Sequence, residues 1–297
     1  MMVGRRAWGR AVIFAAVGAA VAAAGVGCTR KKPAGGDGAS GTVTLKGSDT
    51  MVILGQRWAE QYMKENPKVS IQVTGGGSGT GIAALINGTT DICEASRPMK
   101  EQEKSDLEKK RSAKAVETKV ALDALAVYVH EKNPLESITI GDLAKIYRGE
   151  VTSFAAVGGP DRKIVLYGRE NNSGTYSYFK EHVLAEKDFA SSVQALVGTS
   201  AVVAAVKGDE GAIGYGGIAY LSGVKALKIK KDASAEAIAP SMETAQSGAY
   251  PLARFLFFYT AGEPSGNVKS FIDFALSAEG QKLVEDVGYY PLPGAKT

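Results

Sequence analysis

The chain has 297 residues, with 35 lysines and arginines, 31 acids, two histidines and two cysteines. So few cysteines and histidines supply no disulfide framework and no cluster of metal-site spacing. The formal charge of +4 owes much to three arginines in the first ten residues; without them bases and acids nearly balance, which argues against a basic face for nucleic acid.

The opening "MMVGRRAWGR" is basic and is followed by the apolar, alanine-rich run "AVIFAAVGAAVAAAGVG", which ends at Cys28. A charged start, an apolar middle and small residues before a cut predict a secretory signal over residues 1–27. Small residues ahead of a cysteine also match the lipobox of bacterial lipoproteins, in which Cys28 would carry the lipid. Gly25 stands where that motif usually has leucine or another aliphatic residue. The apolar run is nearly long enough to span a bilayer, so a plain N-terminal anchor is the alternative. Residues 28–40, rich in glycine, lysine and small side chains, read as a flexible tether. If Cys28 is lipidated, Cys93 has no partner, and its apolar-flanked setting in "DICEAS" suits a small buried hydrophobe.

From residue 41 the pattern alternates strand and helix. "GTVTLKG" reads as a strand, and "TMVILGQRWAEQYMKEN" as a helix with Val52, Trp58 and Tyr62 on its apolar face. "VSIQVT" alternates as a strand, "GIAALING" is a short helix and "DICEAS" another strand. "KEQEKSDLEKKRSAKAVETK" reads as a solvated helix or connector. "ALDALAVYVH" is a long apolar strand, and "ITIGDLAKIYRGEV" a helix capped by Thr139 or Asp142. "KIVLYGRE" is a strand, "GTYSYFKEHVL" a helix and "GAIGYGG" a glycine-rich strand end. "YPLARFLFFYT" is the second long apolar strand, and "SFIDFALSAEGQKLVEDVG" reads as one closing helix. Such alternation predicts an α/β fold with mainly parallel sheets covered by helices.

Three times a strand passes to a helix through a loop of Gly, Ser and Thr: "KGSDTM", "TGGGSGTG" and "RENNSGTY". A helix start offers unpaired N–H groups and the positive end of the helix dipole. Hydroxyls there add donors, and glycine lets the backbone approach a bound group, so such loops suit oxyanions. Any one of them is ordinarily a helix cap. Three together, one carrying Arg169, point to an anion.

The competing motifs fit poorly. A P-loop ends in Gly-Lys-Ser/Thr, and none of these loops has that lysine. "GTGIAA" matches the dinucleotide fingerprint in letters, but it lies past the strand and lacks the acid about 20 residues on. Ser78 is followed by Gly79 and then Thr80, where the nucleophile elbow needs a second glycine. His130 and His182 read as a strand-end residue and a helix residue.

Along nearly the whole mature chain the motifs keep one order: "LKGSDTM", "VTGGGSGTGIAALINGTTDI", "ASRPMK", "ALDALAVYV", "ITIGDLAKIYRGEVTSF", "VGGPDRKIVLYGRENNSGTYSYF", "GAIGYGGIAYL", "YPLARFLFFY" and "SAEGQKLVEDVGYYPLP". In this order and content the chain resembles the phosphate-binding proteins of bacterial ABC importers. Phe154 stands where relatives often have tryptophan, and Ala124 where glycine is common.

The resemblance implies an α/β two-lobed clamshell of the type II periplasmic binding protein kind, each lobe a mixed, mostly parallel sheet flanked by helices. One lobe would combine residues 41–122 with 252–297, and the other would take 123–251. The resemblance also implies a monomer, exported and lipid-anchored or periplasmic, that binds inorganic phosphate and releases it to a membrane permease. No cofactor, metal or catalysis is implied. By position, Ser48, Thr50, Ser78, Ser96, Arg97, Asp123, Arg169, Ser173, Gly174 and Thr175 would line the phosphate site. "SRP" could equally place the Arg97 guanidinium in a structural salt bridge. Asp123, read alone, is as readily a solvated carboxylate near a strand end; the resemblance gives it the phosphate's proton to accept. Two other readings stand beside this one: another oxyanion on the same scaffold, and a secreted phosphatase.

Overall fold

The computed structural model describes residues 40–295; the leader, Cys28 and the tether up to residue 39 lie outside the described residues. Strands and helices alternate from the first described element. The chain runs β1 (Gly41–Gly47), α1 (Val52–Glu65), β2 (Val69–Thr74), α2 (Ser78–Asn87), β3 (Ile92–Ala95), α3 (Glu101–Arg111) and β4 (Ala115–Val129). It continues through β5 (Ser137–Thr139), α4 (Ile140–Tyr147), β6 (Val165–Arg169), α5 (Gly174–His182), β7 (Gln194–Leu196), α6 (Thr199–Gly208) and β8 (Ala212–Gly217). It closes with β9 (Lys225–Ala226), β10 (Lys228–Lys230), α7 (Met242–Gln246), β11 (Ala253–Ala261), α8 (Gly266–Leu276) and α9 (Ala278–Val287).

The main sheet has the order β2-β1-β3-β11-β4-β8-β6-β7, with β9 also beside β4. β1 runs parallel to β2 and β3, and β6 parallel to β7 and β8. β4 joins these two groups. Its residues from Ala115 to Ala124 pair antiparallel with β11, and from Leu125 onward its partner is β8. Leu125 N–H donates to Leu252 O, so the segment entering β11 meets β4 where the partners change.

The sequence pattern explains these elements. β2 buries Val69 and Ile71 and exposes Ser70 and Gln72, the alternation of a half-buried strand. β4 is buried without a break from Val120 to Val129, as expected of a strand covered on both faces. α1 turns Leu54, Trp58 and Tyr62 inward, one turn apart. Trp58 stacks edge-on against Phe258 at 5.5 Å and donates its indole N–H to Gly280 O. Across the other sheet half, Phe179 stacks on Tyr215 at 4.0 Å and meets Tyr147 edge-on. Cys93 is buried and free, with Ile82, Leu85, Met99 and Leu107. Among the described residues no helix is long and apolar enough to cross a membrane.

Two expectations are corrected. The stretch "AVETK" belongs to β4 and is no connector: Glu117 and Lys119 are exposed while Val116 and Thr118 are half-buried, an alternation hidden by the charges. The closing helix is two helices. Ser277 takes an extended backbone, and its Oγ accepts from Gly280 N–H, ending α8 and starting α9.

Glu94 on β3 is wholly buried, and neither of its carboxylate oxygens has a hydrogen-bond partner. Its carboxyl occupies the space beside Gly55, where α1 carries no side chain. Burial, with a smaller push from Asp49, raises this carboxyl from 4.5 to about 8. The folded protein therefore holds a proton that the unfolded chain has released, and stability falls as pH rises between those values. We expect Glu94→Gln to lose that part of the slope. The stability difference between wild type and variant should shrink by a few kcal/mol across this window in urea titrations. Parallel curves would show that Glu94 is not the titrating group.

Candidate anion site

The first loop leaves β1 at Gly47, whose φ of 150° and close approach to the Glu94 carbonyl exclude any Cβ. Ser48 N–H then donates to Glu94 O at 2.8 Å, which pins the loop to β3. Ser48 Oγ donates to Ser96 Oγ at 3.0 Å. Thr50, just before α1, places its Oγ1 2.8 Å from Thr175 Oγ1, and its carbonyl accepts from Tyr289 OH.

The second loop opens α2 at Ser78. Ser78 Oγ accepts from Ser96 N–H at 3.1 Å and lies 3.4 Å from Ser96 Oγ. The third loop opens α5, where Ser173 is the N-cap and accepts from Tyr176 N–H. Of the three serines at these turns, only Ser173 serves as a side-chain cap. Even there the hydroxyl keeps its own proton to donate. The second and third loops touch: Gly79 N–H donates to Asn172 O at 2.9 Å, and a Cβ on Gly174 would collide with Ser78 Oγ and Ser96 Oγ.

Asp123 lies on β4 at the change of partners and is fully buried. Its Oδ2 accepts from Arg254 Nε at 2.9 Å and Nη2 at 2.8 Å, and its Oδ1 accepts from Ile218 N–H at 3.0 Å. Burial pushes this carboxyl up, while Arg254 and the Ile218 N–H pull it back; the net direction is upward. Arg254 also donates to Ser96 O and Thr175 Oγ1. Ser48, Thr50, Ser78, Ser96, Asp123, Thr175 and Arg254 thus form one buried hydrogen-bonded network, with Ser173 and Gly174 at its edge.

Both expected arginines have protein partners. Arg97 makes a two-pronged salt bridge with Glu103 at 2.8 and 2.7 Å and donates to Pro98 O, the structural role that its motif left open. Arg169 donates through Nη2 to Asp49 at 2.7 Å and through Nη1 to Thr199 Oγ1 at 2.9 Å, and its Nε is buried without a hydrogen-bond partner. Asp49 in turn accepts from Gly76 N–H.

Sequence reasoning missed Arg254, Asp49 and Thr199. A signal for the first existed: Asp123 and Arg254 are lone opposite charges in the apolar stretches "ALDALAVYV" and "YPLARFLFFYT". Among the described residues no group of three or more His, Cys, Asp or Glu side chains could hold a metal ion.

A family profile described as a PBP superfamily domain matches residues 32–279. The phosphate-binding protein PstS of Pseudomonas aeruginosa is 34% identical over 298 residues, covering 95% of this chain and 92% of the relative. The protein of the same name from Bacillus subtilis is 33% identical, covering 88% of this chain and 84% of its own length. A Clostridium perfringens structure, described as a phosphate ABC transporter substrate-binding protein with bound phosphate, superposes with a TM-score of 0.77 at 30% identity. It covers 85% of this chain and is itself covered fully. This chain belongs to the PBP superfamily and, within it, to the phosphate-binding proteins. Its two-lobed α/β fold is that of the family.

Removing the Asp49 carboxylate would leave the buried Arg169 charge without its closest counter-ion. Asp49→Ala should lower unfolding free energy by about 3 kcal/mol, measured by urea denaturation. A loss within experimental error would show that Arg169 is adequately held by Thr199 and by the Glu170 carboxylate, 3.5 Å from its Nε.

Proposed function

We propose that this chain binds inorganic phosphate outside the cytoplasm and passes it to the membrane permease of an ABC importer. The observation that carries this reading is the convergence of three helix starts and their hydroxyls on one buried network. Helix N-termini brought together repel one another unless an anion lies among them. A dianion leaving water needs a donor for every oxygen. Ser48, Thr50, Ser78, Ser96, Ser173 and Thr175 supply hydroxyls, and Gly174 and Thr175 add helix-start N–H groups. Arg169 adds its charge and its uncommitted N–H groups, while Arg97 braces the loop through Glu103.

Asp123 is the acceptor in this donor-rich site. Monohydrogen phosphate carries a proton to give it, whereas sulfate at neutral pH presents only a lone pair. A buried group matched to one such bond rejects the analogue lacking it by roughly 10⁴-fold.

We take residues 41–122 with 252–297 as one lobe and 123–251 as the other, moving about the crossings where β4 changes partners and the chain enters β11. The hydrogen bond from Leu125 to Leu252 supports a common hinge. The leader and a lipid on Cys28 would hold the protein at the outer face of a membrane, as a monomer. The protein is read as a carrier and not as an enzyme, because the relatives it matches are named for binding and transport.

Calorimetry on the purified mature protein should show phosphate preferred to sulfate by roughly 10⁴-fold, and Asp123→Asn should narrow that gap while the fold persists. Absence of phosphate binding by the wild type would refute the reading. Gly174→Ala, which presses a methyl group on Ser78 and Ser96, should weaken phosphate about tenfold or more. Unaltered affinity would show that α5 does not close on the ion.

A further inference from the structure

Asp123 and Arg254 stand directly opposite each other in the antiparallel pairing of β4 and β11. Both are buried, and the guanidinium grips a single carboxylate oxygen, Oδ2, with two of its nitrogens. The other oxygen, Oδ1, accepts one N–H from Ile218 and keeps acceptor capacity. The remaining ionisable neighbours are phenols: Tyr128 on β4, Tyr178 on α5, Tyr250 ahead of β11, and Tyr289 and Tyr290 after α9. Burial pushes each above its ordinary value, so they are neutral near pH 7. Arg254 is the cation that faces the carboxylate.

A carboxyl so deeply buried tends to keep its proton unless an opposite charge holds it ionised. The two forms recognise opposite ligands. An ionised Asp123 accepts a hydrogen bond and suits an anion that carries a proton. A neutral Asp123 donates one and suits an anion that carries none.

We propose that Arg254 sets which oxyanion the site admits, by keeping Asp123 ionised and its Oδ1 ready to accept. Arg254 is a positioning residue: it acts through Asp123. This inference rests on the phosphate reading above. Removing the guanidinium turns Asp123 into a donor, so that sulfate is no longer met by a bare lone pair. Raising the pH far enough to ionise Asp123 again restores the preference. Arg254 also steadies Ser96 O and Thr175 Oγ1. Losing those bonds alone would weaken every oxyanion alike and would leave both the ratio and its pH dependence unchanged.

The test is calorimetric titration of wild type, Arg254→Met and Arg254→Lys with inorganic phosphate and with sulfate, from mildly acidic to alkaline pH, after circular dichroism has shown which variants fold. The wild-type preference of roughly 10⁴-fold should collapse to about tenfold or less in Arg254→Met and recover as pH rises. Arg254→Lys, which keeps the charge with fewer N–H groups, should bind both ions more weakly yet still reject sulfate. A folded Arg254→Met protein with the wild-type ratio at every pH overturns the proposal. If that variant does not fold, an Arg254→Lys protein that accepts sulfate as readily as phosphate overturns it equally. A wild-type protein that binds no phosphate refutes the functional reading itself, a different outcome from a selective wild type whose variants stay selective.

Discussion

An ion pair taken wholly out of water must have its hydrogen-bonding positions met by protein, and that requirement shapes the middle of this molecule. Asp123 and Arg254 sit where β4 leaves one neighbour and takes another. Their unmet valences reach outward: to Ser96 and Thr175 through the guanidinium, and to Ile218 through the carboxylate. Hydroxyls of Ser48 and Ser78 attach to the same Ser96, and that of Thr50 to the same Thr175. A buried pair of this kind contributes little net stability once desolvation is counted, and breaking it by removing one partner is costly. Its value lies in fixing one arrangement of polar groups. The loops around it are then held in register by atoms that cannot relax into solvent.

The same logic accounts for the contact between α2 and α5. Two helix starts meeting through Gly79 and Asn172, with Gly174 pressed against two serines, bring positive dipole ends together. Nearby, the charge of Arg169 is balanced by Asp49, and that of Arg97 by Glu103. Fixed positive charges are thus matched by fixed carboxylates, and most of the donors left over are dipoles, with the Arg169 Nε–H beside them. In the proposed role, an incoming dianion would be met mainly by N–H and O–H groups, which stabilise charge without demanding that a cation be stripped of its own partner.

The loops were legible because their chemistry is local. Ser, Gly and Thr between a strand and a helix announce a helix start wherever they occur, and the resemblance of the whole motif order to one family implied which residues would share a site with Asp123. Arg254 was not legible in that way. Its meaning depends on the antiparallel register that sets it against Asp123, about half the chain away. The heads of Arg97 and Arg169 tell the same story: the motif fixes the backbone, but Glu103, Asp49 and Thr199 decide where each guanidinium lies. In the fold, the first half of β4 was masked because its outward residues are charged. The break between α8 and α9 was masked because serine inside an apolar pattern does not by itself end a helix. Ser277 does so through its bond to Gly280 N–H.

In the proposed two-lobe division, one carboxylate would report on both lobes at once. Oδ2 of Asp123 is tied to β11 in one sheet half, and Oδ1 to the backbone that follows β8 in the other. Under the proposed hinge, a relative swing of the halves would stretch the Ile218 tether and alter the balance that sets the affinity of Asp123 for protons. Mechanical gating and chemical discrimination would share a single atom pair, so a mutation that changes how readily the cleft gapes should be expected to blur which ion it prefers.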